Sequence, residues 1–198
     1  TGSTKLSLNA IMAGLSLQLI TYLLALSKTK STKDLLPAAM MYIYLHGRPK
    51  SMSVPPNGIP HAKEKENTNG IFLNDPDVLR TLDSQSGTDD GFIGVSYVKD
   101  GSVKKTSPVL TAEEFEALKA LTEKILIRLY SRLESGEIAI HPVKNGTLSP
   151  CSYCPYRSIC RFDPALPENS FDYISKVSDK TIREKLDEEM KRNGKENL

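Results

Sequence analysis

The sequence predicts an α/β fold. Two stretches place apolar residues at helical spacing, and short apolar runs bounded by Pro or Gly lie between them. The composition fits a globular chain: 198 residues, 39% hydrophobic and 25% charged. A net charge of +2 is too mild to argue for nucleic-acid binding from bulk electrostatics. No apolar run reaches the roughly 20 residues of a membrane span, so no membrane association is expected. Three clustered cysteines with no distant partner argue against a disulfide framework and for a reducing, cytoplasmic setting.

The elements follow in order. Leu8 to Lys28 has helical character, with Leu15, Leu19, Tyr22, Leu23 and Leu26 on a shared face. Thr29 to Asp34 is a polar break. Ala38 to Leu45, between Pro37 and Gly47, predicts a buried strand. Residues 48–69 are rich in Pro, Ser, Asn, Lys and Glu and predict a long loop. Asn69 to Asn74 predicts a turn into a brief extended segment. Asp75 then caps a helix with Pro76 at its first position, running through Val78, Leu79 and Leu82. Ser84 to Gly91 is loop-like. Phe92 to Val98 and Ser102 to Lys105 predict a hairpin around an Asp100-Gly101 turn. Thr111-Ala-Glu-Glu114 is a capping box that opens the strongest helix, ending near Ser135 and Gly136. Its apolar positions are Phe115, Leu118, Leu121, Ile125, Leu129 and Leu133. Ile138 to His141 is short and extended. Thr181 to Asn193 can form an amphipathic helix, followed by a frayed end. The main domain is expected over residues 1–165, and residues 166–198 are expected to be a polar helical tail.

Residues 151–160 hold every cysteine of the chain: Cys151, Cys154 and Cys160, spaced C-x2-C-x5-C. A two-residue gap lets a tight turn aim two thiolates at one ion or cluster. Three ligands are one short of a closed site. Three readings are open: reduced cysteines without a metal, a zinc site completed by His141, or an iron–sulfur cluster whose fourth cysteine lies elsewhere. Spacing alone does not separate iron from zinc. Gln18 and Tyr22 lie four residues apart on a helix, so they share a face. The bland alternative puts Gln18 on a wet helix edge and Tyr22 in ordinary core.

Taken together, the motifs resemble a known family. Gly14-Leu-Ser-Leu-Gln18-Leu-Ile-Thr-Tyr22 is similar to the Q-x3-Y helix of RecB-type nucleases of the PD-(D/E)xK superfamily. Cys151-x2-Cys154-Pro-Tyr-x3-Cys160-x-Phe162-Asp163 resembles the iron–sulfur staple of the AddB family of bacterial helicase–nuclease subunits. Leu36 to Tyr44, Asn69 to Val78 and Ile138 to Pro142 resemble intermediate landmarks in the same order, so the likeness spans roughly residues 2 to 165.

The resemblance implies a fragment of a nuclease domain with helices packed on a mixed sheet. It implies Cys151, Cys154 and Cys160 as ligands of a 4Fe-4S cluster, with the fourth cysteine outside the fragment. It implies auxiliary roles for Gln18 and Tyr22 beside an Mg²⁺ site. In the family that site is built from an Asp, a Glu and a Lys, often followed by Thr-Gly. Because this chain opens with Thr1-Gly2, those three residues are expected upstream, and the fragment alone is expected to be inactive. The Asp75, Asp77, Asp89 and Asp90 carboxylates sit in loop or cap contexts and are read as solvated or structural. The parent is implied to be an ATP-dependent exonuclease subunit that processes double-strand DNA ends for recombinational repair. Its implied partners are DNA ends and an AddA-type helicase–nuclease subunit in a heterodimer. No phosphate-binding Gly-rich loop is present in this chain. The non-catalytic alternative is a zinc-stapled interaction module using His141 and the three cysteines.

Overall fold

A computed structural model describes residues 6–32, 35–43, 68–88, 91–146, 149–167, 169–175 and 177–196. The Thr1-Gly2 start, most of the expected 48–69 loop, Asp89, Asp90 and the final two residues lie outside the described residues.

A three-stranded mixed sheet organises the fold. Its order is β1 (Ala39–Tyr42), β2 (Asn69–Leu73), β3 (Val109–Leu110). β1 pairs antiparallel with β2, setting Met40 opposite Ile71 and Met41 opposite Gly70. β2 pairs parallel with β3, setting Leu73 opposite Leu110. Gly70 is required by that first pairing. A Cβ there would lie 2.6 Å from the Met41 Cβ and 2.9 Å from the Met40 carbonyl oxygen. The alternation of β2 divides the core between two faces. Ile71 and Leu73 join Met40, Leu110, Ile11, Ile20, Phe115 and Leu118 on one side. Phe72 joins Leu79, Ile93, Val95 and Val109 on the other.

The helical face carries α1 (Leu8–Met12), α2 (Gln18–Ser27), α4 (Ala112–Glu134) and α6 (Asp179–Glu196). α3 (Pro76–Leu82) covers the opposite face. Its cap is the expected one: the Asp75 carboxylate accepts from the Asp77 and Val78 amides at 2.9 and 3.2 Å. α4 starts with the expected capping box. The Glu114 amide donates to Thr111 Oγ1 at 3.2 Å, and the Thr111 amide donates to Glu114 Oε2 at 2.8 Å.

Several sequence expectations change. The Leu8–Lys28 helix is two helices, because Gly14 at φ 79° and Ser16 at φ 52° turn the chain into the left-handed region between them. Of the buried strand expected over 38–45, residues 44–45 lie outside the described residues; the rest holds the four-residue β1, in which only Met40 is buried, since β1 has a neighbour on one side alone among the described residues. The 92–105 hairpin is reduced to one antiparallel bridge, Tyr97 with Val103, closed by the Val98 amide on the Ser102 carbonyl at 2.8 Å. The periodic face of α4 is buried only in its first half. Phe115 and Leu118 are fully covered, whereas Leu133 is 76% exposed.

The expected amphipathic helix over Thr181 to Asn193 is present, within α6. α6 drives Ile182 and Leu186 into the same core as Phe115 and Leu118. Arg183 fastens it to the α4 start, with Nη1 donating to Glu114 Oε1 at 2.5 Å and Nη2 to the Val109 carbonyl at 3.1 Å. Farther along, Lys124 pairs with the buried Glu189 carboxylate.

Candidate functional site

Gln18 begins α2 and its Nε2 donates to the Tyr22 phenol oxygen at 3.1 Å. The helix buries Ile20 and leaves Tyr22 56% exposed. Tyr22 is therefore not core. The amide and phenol form a surface pair whose remaining hydrogen-bonding capacity faces solvent.

The cysteine segment lies beyond α4. A short 3-10 turn (Pro150–Tyr153) carries Cys151, whose amide is capped by Ser149 Oγ at 3.3 Å. Cys154 follows the turn, and Cys160 ends the one-turn helix α5 (Arg157–Cys160). All three are free thiols; Cys151 and Cys154 are half-buried and Cys160 is exposed. A small parallel ribbon flanks them, β4 (Val143–Lys144) with β5 (Asp172–Tyr173). Phe162, two residues past Cys160, meets Phe171 edge-on with ring centroids 4.8 Å apart. Lys144 Nζ lies 4.8 Å from the Phe171 centroid and 5.8 Å from that of Tyr173. These aromatic contacts anchor the cysteine segment to the ribbon.

His141 Nδ1 is 2.9 Å from Ser170 Oγ, beside the ribbon. Among the described residues, no three or more His, Cys, Asp or Glu side chains come together to hold a metal ion, so His141 and the cysteines do not form one group. The donor chemistry of the segment is nevertheless that of a soft-metal or cluster site: three thiols within ten residues, none in a disulfide.

The carboxylates do not fit a Mg²⁺ site among the described residues. Asp75 caps α3. Asp83, only 6% exposed, accepts from the Gln85, Phe92 and Ile93 amides at 3.0, 2.8 and 3.2 Å. Glu114 is held by Thr111 and Arg183. Asp100 is held below the usual carboxylate range by the Ser102 amide and hydroxyl in its turn. Glu137 is held down chiefly by its hydrogen bond from Arg132. These acids build local structure, and no metal-dependent step is assigned to them.

Comparison with known proteins decides the family. Residues 1–161 match the PD-(D/E)XK nuclease superfamily. The chain belongs to that superfamily. It is similar to the B-type subunit of the ATP-dependent helicase/deoxyribonuclease of Clostridium kluyveri, 33% identical over 189 residues. The same protein of Bacillus licheniformis is 32% identical over 198 residues, and that of Bacillus subtilis 31% over 194. Those alignments take in 91%, 96% and 93% of this chain but only 16%, 17% and 16% of the relatives. The chain thus spans about one sixth of the length of these relatives. The mixed sheet with helices on it is the fragment of a PD-(D/E)XK fold expected from the sequence.

Sequence reasoning missed the β4–β5 ribbon and the Phe162–Phe171 contact. The only signal was aromatic spacing around polar residues, which has no periodicity across strands of two residues.

Proposed function

We propose that this chain is part of the DNA exonuclease domain of a helicase–nuclease subunit that processes double-strand DNA ends for recombinational repair. The observation that carries the reading is the match of residues 1–161 to the nuclease superfamily, in line with relatives named as B-type subunits of a helicase/deoxyribonuclease. The exposed Gln18–Tyr22 pair suits an auxiliary role at a polyanionic substrate, because an amide and a phenol can both donate to phosphate oxygens without adding charge. In the complete site Mg²⁺ would supply charge neutralisation and water activation. Among the described residues no acids assemble such a site, in line with the expectation that residues 1–198 alone do not cleave DNA.

Cys151, Cys154 and Cys160 would hold a 4Fe-4S cluster together with a cysteine of the longer protein. The cluster would fasten the segment to distant sequence; this chain's own contribution is the turn, the short helix and the aromatic anchor that present the thiols. The parent would work in the cytoplasm on DNA ends, as a heterodimer with an AddA-type subunit. No described helix is long and apolar enough to cross a membrane.

The test uses the full-length protein assembled with its partner. Gln18→Ala and Tyr22→Phe are expected to slow Mg²⁺-dependent strand cleavage by about 10-fold or more while DNA-stimulated ATP hydrolysis stays unchanged. Equal loss of both activities, or loss of neither, contradicts the assignment. Robust Mg²⁺-dependent cleavage by residues 1–198 alone would contradict the reading that the metal ligands lie elsewhere.

A further inference from the structure

We infer that the distal half of α4 is a docking face for a helix from the part of the longer polypeptide outside residues 1–198. The face is the stripe of Leu126, Leu129, Tyr130 and Leu133. The inference rests on the reading above that this chain is one piece of a larger subunit. It goes beyond that reading by naming where the rest of the subunit packs on it.

Four observations carry it. First, the four side chains share one face. At 3.6 residues per turn they fall within about a third of the helix circumference. They lie on the same side of α4 as Phe115 and Leu118, which are fully buried. Leu126 is half-buried, Leu129 is 38%, Tyr130 62% and Leu133 76% exposed. One apolar stripe is therefore covered at its start and bare at its end among the described residues.

Second, no described element is left to cover it. The buried apolar residues of α1, α2 and α6 lie in the Phe115 cluster, and that of α3 lies in the Phe72 cluster. Leu126, Leu129, Tyr130 and Leu133 belong to neither.

Third, apolar residues at i, i+3, i+4 and i+7 are the spacing at which one helix seats another. A stripe this apolar suits a permanent interface, which resembles a core cut in half. Left bare in water it would be a site of association.

Fourth, the rest of the polypeptide is available as occupant. The alignments take in only 16–17% of the relatives' length. Three thiols are one short of a closed site, so on the cluster reading an outside segment already has to reach the module that follows α4. A segment of the same polypeptide is held at high effective concentration and needs no separate encounter.

The experiment places a photoreactive benzophenone side chain at Tyr130 in the full-length protein assembled with its partner. After irradiation, the crosslinked peptides are mapped by mass spectrometry. Crosslinks should join position 130 to the same polypeptide outside residues 1–198. The same group at Ser131, exposed and on the opposite side of the helix, should give none of these. Leu129→Ser/Leu133→Ser should lower the yield at position 130 about 10-fold, and Leu129→Met/Leu133→Met should keep it. Because both leucines are exposed in this chain, the Ser pair should leave the melting temperature of residues 1–198 within about 4 °C of the parent's.

Crosslinks from position 130 to the partner subunit, to a second copy or within residues 1–198 overturn the inference. So do the absence of any crosslink and an unchanged yield in the Ser pair. Crosslinking needs neither metal nor strand cleavage, so a failed Gln18 and Tyr22 test would count against the nuclease role and not against this contact.

Discussion

Leu186→Ala tests whether α6 is structural core or a dispensable extension. Leu186 is fully buried, in the cluster that contains Phe115, Leu118, Ile182 and Ile20. Truncation removes the transfer free energy of the lost methyl groups and leaves a cavity between packed helices and a sheet. Buried Leu→Ala changes cost about 2–5 kcal/mol, and a site walled by helix and sheet collapses poorly, so about 3 kcal/mol is expected. Helix propensity does not add to the loss, because Ala is at least as good a helix former as Leu. For a chain of this length each kcal/mol lowers the melting temperature by about 2–4 °C, which gives a drop of about 6–12 °C. Asp187→Ala is the control, one residue on and exposed, expected within about 0.5 kcal/mol of the parent. The assay is thermal unfolding followed by circular dichroism at about 222 nm, near the helical minimum. If Leu186→Ala melts with Asp187→Ala, α6 is not part of the core and its packing against α4 is wrong.

Gly70→Ala should cost about 1–3 kcal/mol, read as a lower urea midpoint, because the new Cβ meets Met41 Cβ at 2.6 Å across the β1–β2 pair. Arg183→Ala should cost about 2 kcal/mol, read the same way: it strips one partner from a nearly buried Glu114 carboxylate and one from the Val109 carbonyl. That figure lies below the range for a fully buried pair because Arg183 itself is partly exposed. Arg132 lowers the folded-state pKa of Glu137, so the pairing stabilises above the ordinary glutamate range and the contribution is lost as pH falls through the lowered value. The melting difference between the parent and Glu137→Gln should therefore shrink from about pH 6 to about pH 3; a difference that grows on acidification contradicts the pairing. In the full-length protein, Cys151→Ser, Cys154→Ser and Cys160→Ser should each lower iron content; zinc lost on His141→Ala would instead favour the interaction-module alternative.

Much of the fold was legible where local chemistry and tertiary packing agree. Asp75-Pro76 and Thr111 to Glu114 announce helix starts through side chain-to-amide bonds made within three residues, and the structure makes those bonds. The failures came where periodicity was asked to report burial. Leu129 and Leu133 continue the α4 pattern that Phe115 and Leu118 begin, yet Leu133 stays largely exposed among the described residues. The amphipathic helix of α6 was legible, but its place in the core was not, because two buried apolar residues, Ile182 and Leu186, are a thin stripe in a helix dominated by Asp, Glu, Lys and Arg. Arg183, Lys124 and Glu189 then add pairings that hydropathy cannot register. The Gln18–Tyr22 contact follows from helical spacing, but the exposure of Tyr22 depends on which face α4 and the sheet occupy.

The distribution of burial bears on why thiol ligands would matter in this chain. Among the described residues, every buried hydrophobic side chain lies at or before Leu118, or in α6. From Leu121 to Val177 there is none, although the stretch includes Ile127, Tyr130, Leu133, Ile138, Tyr153 and Ile159, all more than half exposed. Its ends are tied to the core by Leu121, Val177 and the Lys124–Glu189 pair, and between them the segment is held by local devices: the Arg132–Glu137 pair, the His141–Ser170 contact, two short strands and the Phe162–Phe171 edge contact. Exposed pairs of this kind add little stability, because water screens them. A covalent-strength clasp on Cys151, Cys154 and Cys160 would act where the hydrophobic core does not reach. Its loss should then loosen residues 135–175 while leaving the sheet, the first half of α4 and α6 folded. Hydrogen exchange can separate the two: amides of β2 and the first half of α4 should stay protected in Cys154→Ser when those of α5 and the β4–β5 ribbon do not.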